Sequence, residues 1–219
     1  TFHDLQEPLR TVLSFLDVIQ EDYADKLDNN LNVYLKYISE ASTRMSNLIK
    51  SLLDYSRIGY KGKVEIIDCN QLLESVIADL GHKIESYKAE IHSEKLPVIY
   101  GFKLELRLLF QNLITNAIKF HKKTEIPKIR IYFVEKKLHY QFSITDNGIG
   151  ISEEYQSKIF VIFQRLHNRE EYEGTGIGLS HCKKIVELHG GEIWVNSKKD
   201  EGSTFNFTIP KDINQENND

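Results

Sequence analysis

Only two cysteines occur among the 219 residues, Cys69 and Cys182, far apart and outside any CxxC or Cys/His ligand spacing. That argues against a disulfide framework and a zinc centre, and it points to a reducing compartment. Glycine and proline are scarce, at 12 and 4 residues, which excludes collagen-like and low-complexity classes. No uninterrupted apolar run approaches the roughly 18 residues a spanning helix needs, and no basic segment leads into an apolar one at the start. A soluble, cytoplasmic chain is expected, although the full-length protein could still be membrane-anchored. Nor does charge of one sign dominate: 28 basic against 32 acidic residues leave a formal −4. The basic stripe that duplex nucleic acid demands is missing. What is present, 41% apolar and 27% charged residues, suits a folded chain of one large or two modest domains.

From Phe2 the residues Phe2, Leu5, Leu9, Val12, Leu16, Ile19 and Tyr23 are spaced alternately three and four apart, the heptad seam of a long amphipathic helix. After a polar break at 25–30, Leu31, Tyr34, Ile38, Ala41, Met45, Leu48, Leu52 and Tyr55 repeat the pattern. The spacing predicts a two-helix hairpin over 1–58. One hairpin cannot cover both flanks of its seams, and dimerisation into a four-helix bundle is the simplest cover. Gly59 and Gly62 mark a linker over 59–63. Beyond it, 64–210 alternates: a strand at Val64 to Ile67, a helix from Leu72 to Tyr87, an extended piece at Val98 to Tyr100 and an apolar helix from Leu104 to Phe120. Strands follow at Ile129 to Val134 and Tyr140 to Thr145, then a helix from Ile177 to His189 and strands at Glu192 to Asn196 and Thr204 to Ile209. The expected class is α+β, a helical hairpin followed by an α/β sandwich with its helices on one face of a mixed sheet. The stretch between Gly150 and Gly174 is too long for a routine connection and reads as a lid. The polar tail at 211–219 is expected to be disordered.

Three motifs carry chemistry. Asp146-Asn147-Gly148-Ile149-Gly150 places a carboxylate at a strand end, where two glycines let the backbone turn and approach a ligand; the same letters also make an ordinary turn. Gly174-Thr175-Gly176-Ile177-Gly178-Leu179 runs into a helix, whose N-terminal N–H groups can meet phosphate oxygens. No strand immediately precedes it and no acidic residue follows about 20 positions on, so the dinucleotide fingerprint fails. Asn112 and Asn116, four apart on one helix, share a face, and an amide oxygen suits a hard cation such as Mg²⁺ that also binds nucleotide phosphates.

In chain order, the His3-Asp4 segment with Pro8, the asparagine pair, DNGIG, Phe160 with Phe163, and GTGIGL resemble the boxes of a sensor histidine kinase core. HDLQEPLR at 3–10 and FQRLHNREEYEGTGIGL at 163–179 are most similar to phytochrome-type kinases. The resemblance spans about 3–210. It implies a dimerising phosphotransfer hairpin and an ATP-binding domain of the fold shared with gyrase and heat-shock-chaperone ATPases.

By position, the resemblance makes His3 the phosphoacceptor, with Asp4 orienting its ring and Pro8 bending the helix just beyond. Phe2 and Leu5 face the seam, so His3 is expected to point outward. Asp146 becomes the acceptor for the adenine amine, with Thr204 assisting. Asn116 binds Mg²⁺, while Asn112 and Lys119 lie beside the phosphates. Gly148, Gly150, Gly174, Gly176 and Gly178 give the lid its backbone freedom and phosphate contacts, Phe160 and Phe163 anchor it, and Arg165 is a candidate cation for the phosphoryl group. The implied partners are a second copy, a response-regulator receiver domain and an upstream sensory domain outside this chain; no nucleic acid is implied. Relatives that hydrolyse ATP carry a glutamate where this chain has Asn112, so water activation is disfavoured. Where many family members carry Thr or Asn four residues after the phosphohistidine, this chain has Glu7, which puts phosphatase activity in doubt. Two other readings stay open, a degenerate kinase serving as a dimeric scaffold and an ATP-driven clamp of the same fold.

Overall fold

The computed structural model describes residues 3–23, 28–59, 62–164, 166 and 176–212, and the chain divides into two compact units, 1–57 and 58–219. No helix among the described residues is long and apolar enough to cross a membrane.

The first unit is a hairpin of α1 (His3–Asp22) and α2 (Asn29–Arg57), packed against each other. Asp28 starts α2 by accepting the Leu31 N–H at 2.7 Å, which satisfies one of the orphan donors of a helix N-terminus. The buried frame of α2 is not the expected one. It runs through Leu35, Ser39, Ser42, Ser46, Ile49 and Leu53, with Leu35, Ser42 and Leu53 fully buried, while Leu16 is buried on α1. The expected seam lies one residue away, about 100° around the helix, and is largely open: Tyr34 is 61% exposed, Ile38 48%, Met45 47% and Leu52 42%. Ser42 is buried in this frame, with Ser39 and Ser46 half-buried, and the stronger apolar stripe is the more exposed one.

The second unit holds α3 (Cys69–Asp79), α4 (Gly81–Tyr87), α5 (Lys103–Lys119), α6 (Glu153–Gln156) and α7 (Gly178–Leu188). Its strands are β1 (Glu65–Asp68), β2 (Glu90–Ser93), β3 (Val98–Gly101), β4 (Lys128–Glu135), β5 (His139–Asp146), β6 (Ile193–Lys198) and β7 (Gly202–Pro210). Five strands form a sheet in the order β2-β4-β5-β7-β6, with β2 parallel to β4 and the other pairs antiparallel; β1 and β3 form a separate antiparallel pair. Period-two alternation turns Ile129, Ile131, Phe142, Ile144, Phe205, Phe207 and Ile209 into the core, where they meet Leu106, Leu109, Phe110 and Leu113 of α5. Phe110 sets its ring edge-on to Phe142 and Phe207, at 6.0 and 5.7 Å between centroids. The opposite face is polar and self-satisfied: Ser143 Oγ donates to Asn206 Oδ1 at 2.8 Å, and Asn206 Nδ2 donates to Asn196 Oδ1 at 2.8 Å. This is the α+β architecture expected from the pattern.

Three details differ. The single helix expected from Leu72 to Tyr87 is broken at Leu80, whose ψ of 2° ends α3 before Gly81 starts α4. Strand β2 was not expected, because four residues with one apolar side chain carry too little alternation to read. Helix α6 falls inside the expected lid, of which 165 and 167–174 lie outside the described residues. The expected disordered tail likewise lies outside them from 213 onward.

Candidate functional site

Three backbone junctions converge at one end of the α5 layer. At the C-terminus of α5, the Phe120 carbonyl accepts the Ile149 N–H at 2.9 Å, which ties the turn after β5 to the helix. Gly148 fits there because it has no Cβ; one would lie 2.4 Å from the Phe120 oxygen. Gly150, at φ +67°, passes so close to β6 that a Cβ would lie 2.0 Å from the Lys198 oxygen, a geometry only glycine reaches without strain.

Asp146 ends β5 on the core side. Its Oδ1 accepts the N–H groups of Gly148 at 2.8 Å and Ser203 at 3.2 Å; none of the described residues bonds Oδ2. Burial pushes this carboxyl up to about 6, against the opposing pull of the two N–H groups. Asn147 is a structural residue. Its Oδ1 accepts the Lys128 N–H at 2.8 Å and its Nδ2 donates to the Ile126 oxygen at 3.0 Å.

On α5, Asn112 and Asn116 stand one turn apart, both half-buried. A Cβ on Gly178, the first residue of α7, would lie 3.2 Å from Asn112 Oδ1, so the start of α7 faces this amide. Asn112 Nδ2 is buried with no hydrogen-bond partner among the described residues. A buried donor left unmade costs about 1–3 kcal/mol, and the site therefore fits an incoming acceptor such as a phosphate oxygen. Lys119 lies over the Phe120 ring, Nζ 4.4 Å from the centroid. No cluster of His, Cys, Asp and Glu suited to a metal occurs among the described residues.

Phe160 packs against the core. Phe163 adopts φ +64° and donates its N–H to Gly176 O at 3.1 Å, which joins the two ends of the 164–175 stretch. A bulky residue at positive φ is strained, and this hydrogen bond helps hold it. Gly174 and Arg165 lie outside the described residues. His3 and Asp4 begin α1, but their side chains too lie outside them.

Thr204 is not on the site's face. It pairs with Thr145, the two hydroxyls 3.0 Å apart, whereas Ser203 pairs with Asp146. Directly opposed residues share a face and neighbours alternate, so Ser203 is the hydroxyl beside Asp146 and Thr204 lies behind the sheet. The signal was in the sequence: Ser203, Phe205, Phe207 and Ile209 share one parity, and the three apolar members mark it as the core side.

Both thiols are buried, with burial pushing Cys69 up to about 12 and Cys182 higher still, so neither is a nucleophile. The arrangement is a buried carboxylate that accepts, a buried amide nitrogen without a partner among the described residues and glycines at a helix start, a set suited to a purine amine at one end and phosphates at the other.

Residues 101–213 match the family described as histidine kinase-, DNA gyrase B- and HSP90-like ATPase, and residues 2–61 match the His Kinase A phospho-acceptor domain. Cyanobacterial phytochrome A of Nostoc sp. is 42% identical over 209 residues, covering 95% of this chain and 27% of its own length. The chain thus spans about a quarter of that relative. The catalytic domain of histidine kinase ThkA superposes with a TM-score of 0.59 at 28% identity, over 68% of this chain and 98% of that one. ThkA in complex with the response regulator protein TrrA shares the fold, at TM-score 0.67 and 24% identity, over 95% of this chain and 60% of that one.

Proposed function

The chain belongs to the histidine kinase family, and from that premise we propose that it is the cytoplasmic ATP-dependent phosphotransfer core of a sensor kinase. The observation that carries the reading is the buried Asn112 Nδ2, without a partner among the described residues, on an amide that faces Gly178, with Asp146 at the neighbouring turn. ATP bound there supplies the γ-phosphoryl group, and Mg²⁺ supplies charge neutralisation at its oxygens. Asp146 Oδ2 accepts the adenine amine, with Ser203 on the same face. Asn112 donates to the phosphates from the middle of α5, and Asn116 offers an amide oxygen to Mg²⁺. Lys119 lies one turn on, beside the phosphates. Gly174, Gly176 and Gly178 bring backbone N–H groups to the same charge, and Arg165 is a further cation for it. His3 is the nucleophile: neutral imidazole keeps a lone pair on one ring nitrogen at pH 7, and Asp4 holds the proton on the other. The amide at Asn112 cannot deprotonate a water, which favours transfer over hydrolysis.

The phosphohistidine then passes its phosphoryl group to an aspartate of a response-regulator receiver domain, as the pairing of ThkA with TrrA suggests. A second copy completes the hairpin bundle, and sensory input comes from sequence beyond this chain. Glu7 carries a charge where removal of phosphate from the regulator needs a neutral group to hold water, so the core donates phosphate better than it removes it.

His3→Gln tests the reading. Acid-labile label from γ-labelled ATP should vanish while ATP affinity stays within about two-fold, since binding and acceptance lie in separate units. Undiminished labelling of the variant would overturn the assignment of His3, and failure of the wild-type chain to bind ATP would overturn the whole reading in favour of a scaffold.

A further inference from the structure

Ser197 lies near the end of β6, and its hydroxyl is fully committed. Its proton goes to the Gly202 carbonyl at 2.8 Å, and its oxygen accepts the Ile151 N–H at 2.8 Å. The Ser203 hydroxyl lies 2.9 Å away. A hydroxyl has one proton to give and two lone pairs to receive with. Because Ser197 has already given its proton, the Ser203 hydroxyl is the donor of that pair. Ser203 is therefore left with lone pairs only, on the face it shares with Asp146. The Asp146 carboxylate is likewise an acceptor, and its Oδ1 is held by the Ser203 N–H.

The main chain of the same residue holds the other side of the site. Gln156 Nε2 donates to the Ser197 carbonyl at 2.7 Å, and Asp200 donates its N–H to Ile149 O at 2.8 Å. Thus the turn from Ile149 to Ile151, which follows the carboxylate, is fastened to the β6–β7 end, with Ser197 at its centre. A Cβ on Gly202 would lie 2.1 Å from the Asp146 carbonyl oxygen, so the two backbones pass each other at close range.

We propose that Ser197 is a positioning residue for base selection: it fixes the Ser203 hydroxyl as an acceptor and holds the turn beside Asp146. Asp146 and Ser203 then offer two acceptors to the 6-position of the base. There a 6-amino purine brings N–H donors, whereas a 6-oxo purine brings a carbonyl that meets lone pairs. This inference rests on the ATP reading above and adds to it a residue that acts through others.

The test compares the full chain with Ser197→Ala and Ser197→Thr by calorimetric titration of ATP and of inosine triphosphate, which differ only at the base. In Ser197→Ala the preference for ATP should shrink about three- to ten-fold, the scale of one hydrogen bond, chiefly through weaker ATP binding. Ser197→Thr keeps the hydroxyl and should retain the preference. Ser203→Ala, which leaves the Ile151 bond intact, should lose it as well, and it serves if Ser197→Ala does not fold. A parallel loss for both nucleotides would show a merely structural role and overturn the proposal, as would an unchanged ATP preference in Ser197→Ala. Wild-type chain that binds neither nucleotide would instead overturn the ATP reading on which it rests.

Discussion

Asp146 must be charged to accept a base amine strongly, yet its burial favours the proton, and these opposed demands make the proposed binding depend on pH. With the carboxyl raised to about 6, the folded state holds a proton the unfolded chain has released. Its contribution to stability is therefore present at low pH and is lost as pH rises from about 4 through about 6. Binding runs the other way: affinity for ADP should fall below pH 6, by up to ten-fold per unit, as the acceptor is neutralised. Asp146→Asn should weaken ADP binding roughly ten-fold or more at pH 7.5, the worth of a charge-assisted hydrogen bond, and flatten the acid limb of the profile. Calorimetry from pH 5 to 8 on both proteins checks this, and an acid limb of equal slope in the variant would assign the titration elsewhere. Asp146 stands at the end of β5, the strand end at which the motif puts it, but the same letters also make an ordinary turn and its proposed role comes from the resemblance. Thr204 takes its expected role from the resemblance alone, whereas alternation along β7 puts Ser203 on the site face. Asn147 shows the converse, a motif residue whose amide is spent on fastening the α5–β4 loop.

Between elements, the two helices that frame the site are joined at their far ends by His189. This buried imidazole donates from Nδ1 to the Ile185 carbonyl at 2.7 Å and accepts the Phe102 N–H on Nε2 at 3.0 Å. It therefore links the end of α7 to the start of α5, and a protonated ring could not accept. Burial lowers its pKa below the usual histidine value, so the unfolded chain takes up the proton first. The stability it contributes is complete above about pH 6.5 and is lost as pH falls through the folded value, opposite in sign to that of Asp146. His189→Leu leaves the Phe102 N–H unpaired and should cost the second unit about 1–3 kcal/mol, while His189→Gln, which can still accept, should cost less. Urea unfolding at pH 7.5 separates them, and equal losses would mean that ring packing against Phe102, not the hydrogen bond, does the holding. Long helices with clear periodicity were legible from sequence, α5 above all. The break at Leu80 was not, since apolar spacing continues across it and the chain turns on backbone angles rather than on composition.

For the molecule as a whole, the hairpin poses the larger question, because its strongest apolar stripe is the one it leaves open. Heptad spacing revealed two helices correctly but could not say which stripe the hairpin itself would use, since Leu35, Ser42 and Leu53 follow the same alternation one residue away. Ser42 buried and Ser39 and Ser46 half-buried in that second frame bring little apolar gain, whereas Tyr34, Ile38, Met45 and Leu52 stay exposed, as the proposed second copy would need. Ile38→Glu should therefore leave the hairpin folded and place an unpaired charge in the bundle formed by two copies, at a cost of several kcal/mol to the dimer. Ser42→Glu, in the buried frame, should instead unfold the hairpin. Sedimentation at tens of micromolar, with circular dichroism on the same samples, distinguishes the two: monomer with helicity retained for Ile38→Glu, helicity lost for Ser42→Glu. A wild-type chain already monomeric at that concentration would show that the open stripe waits for something other than a second copy.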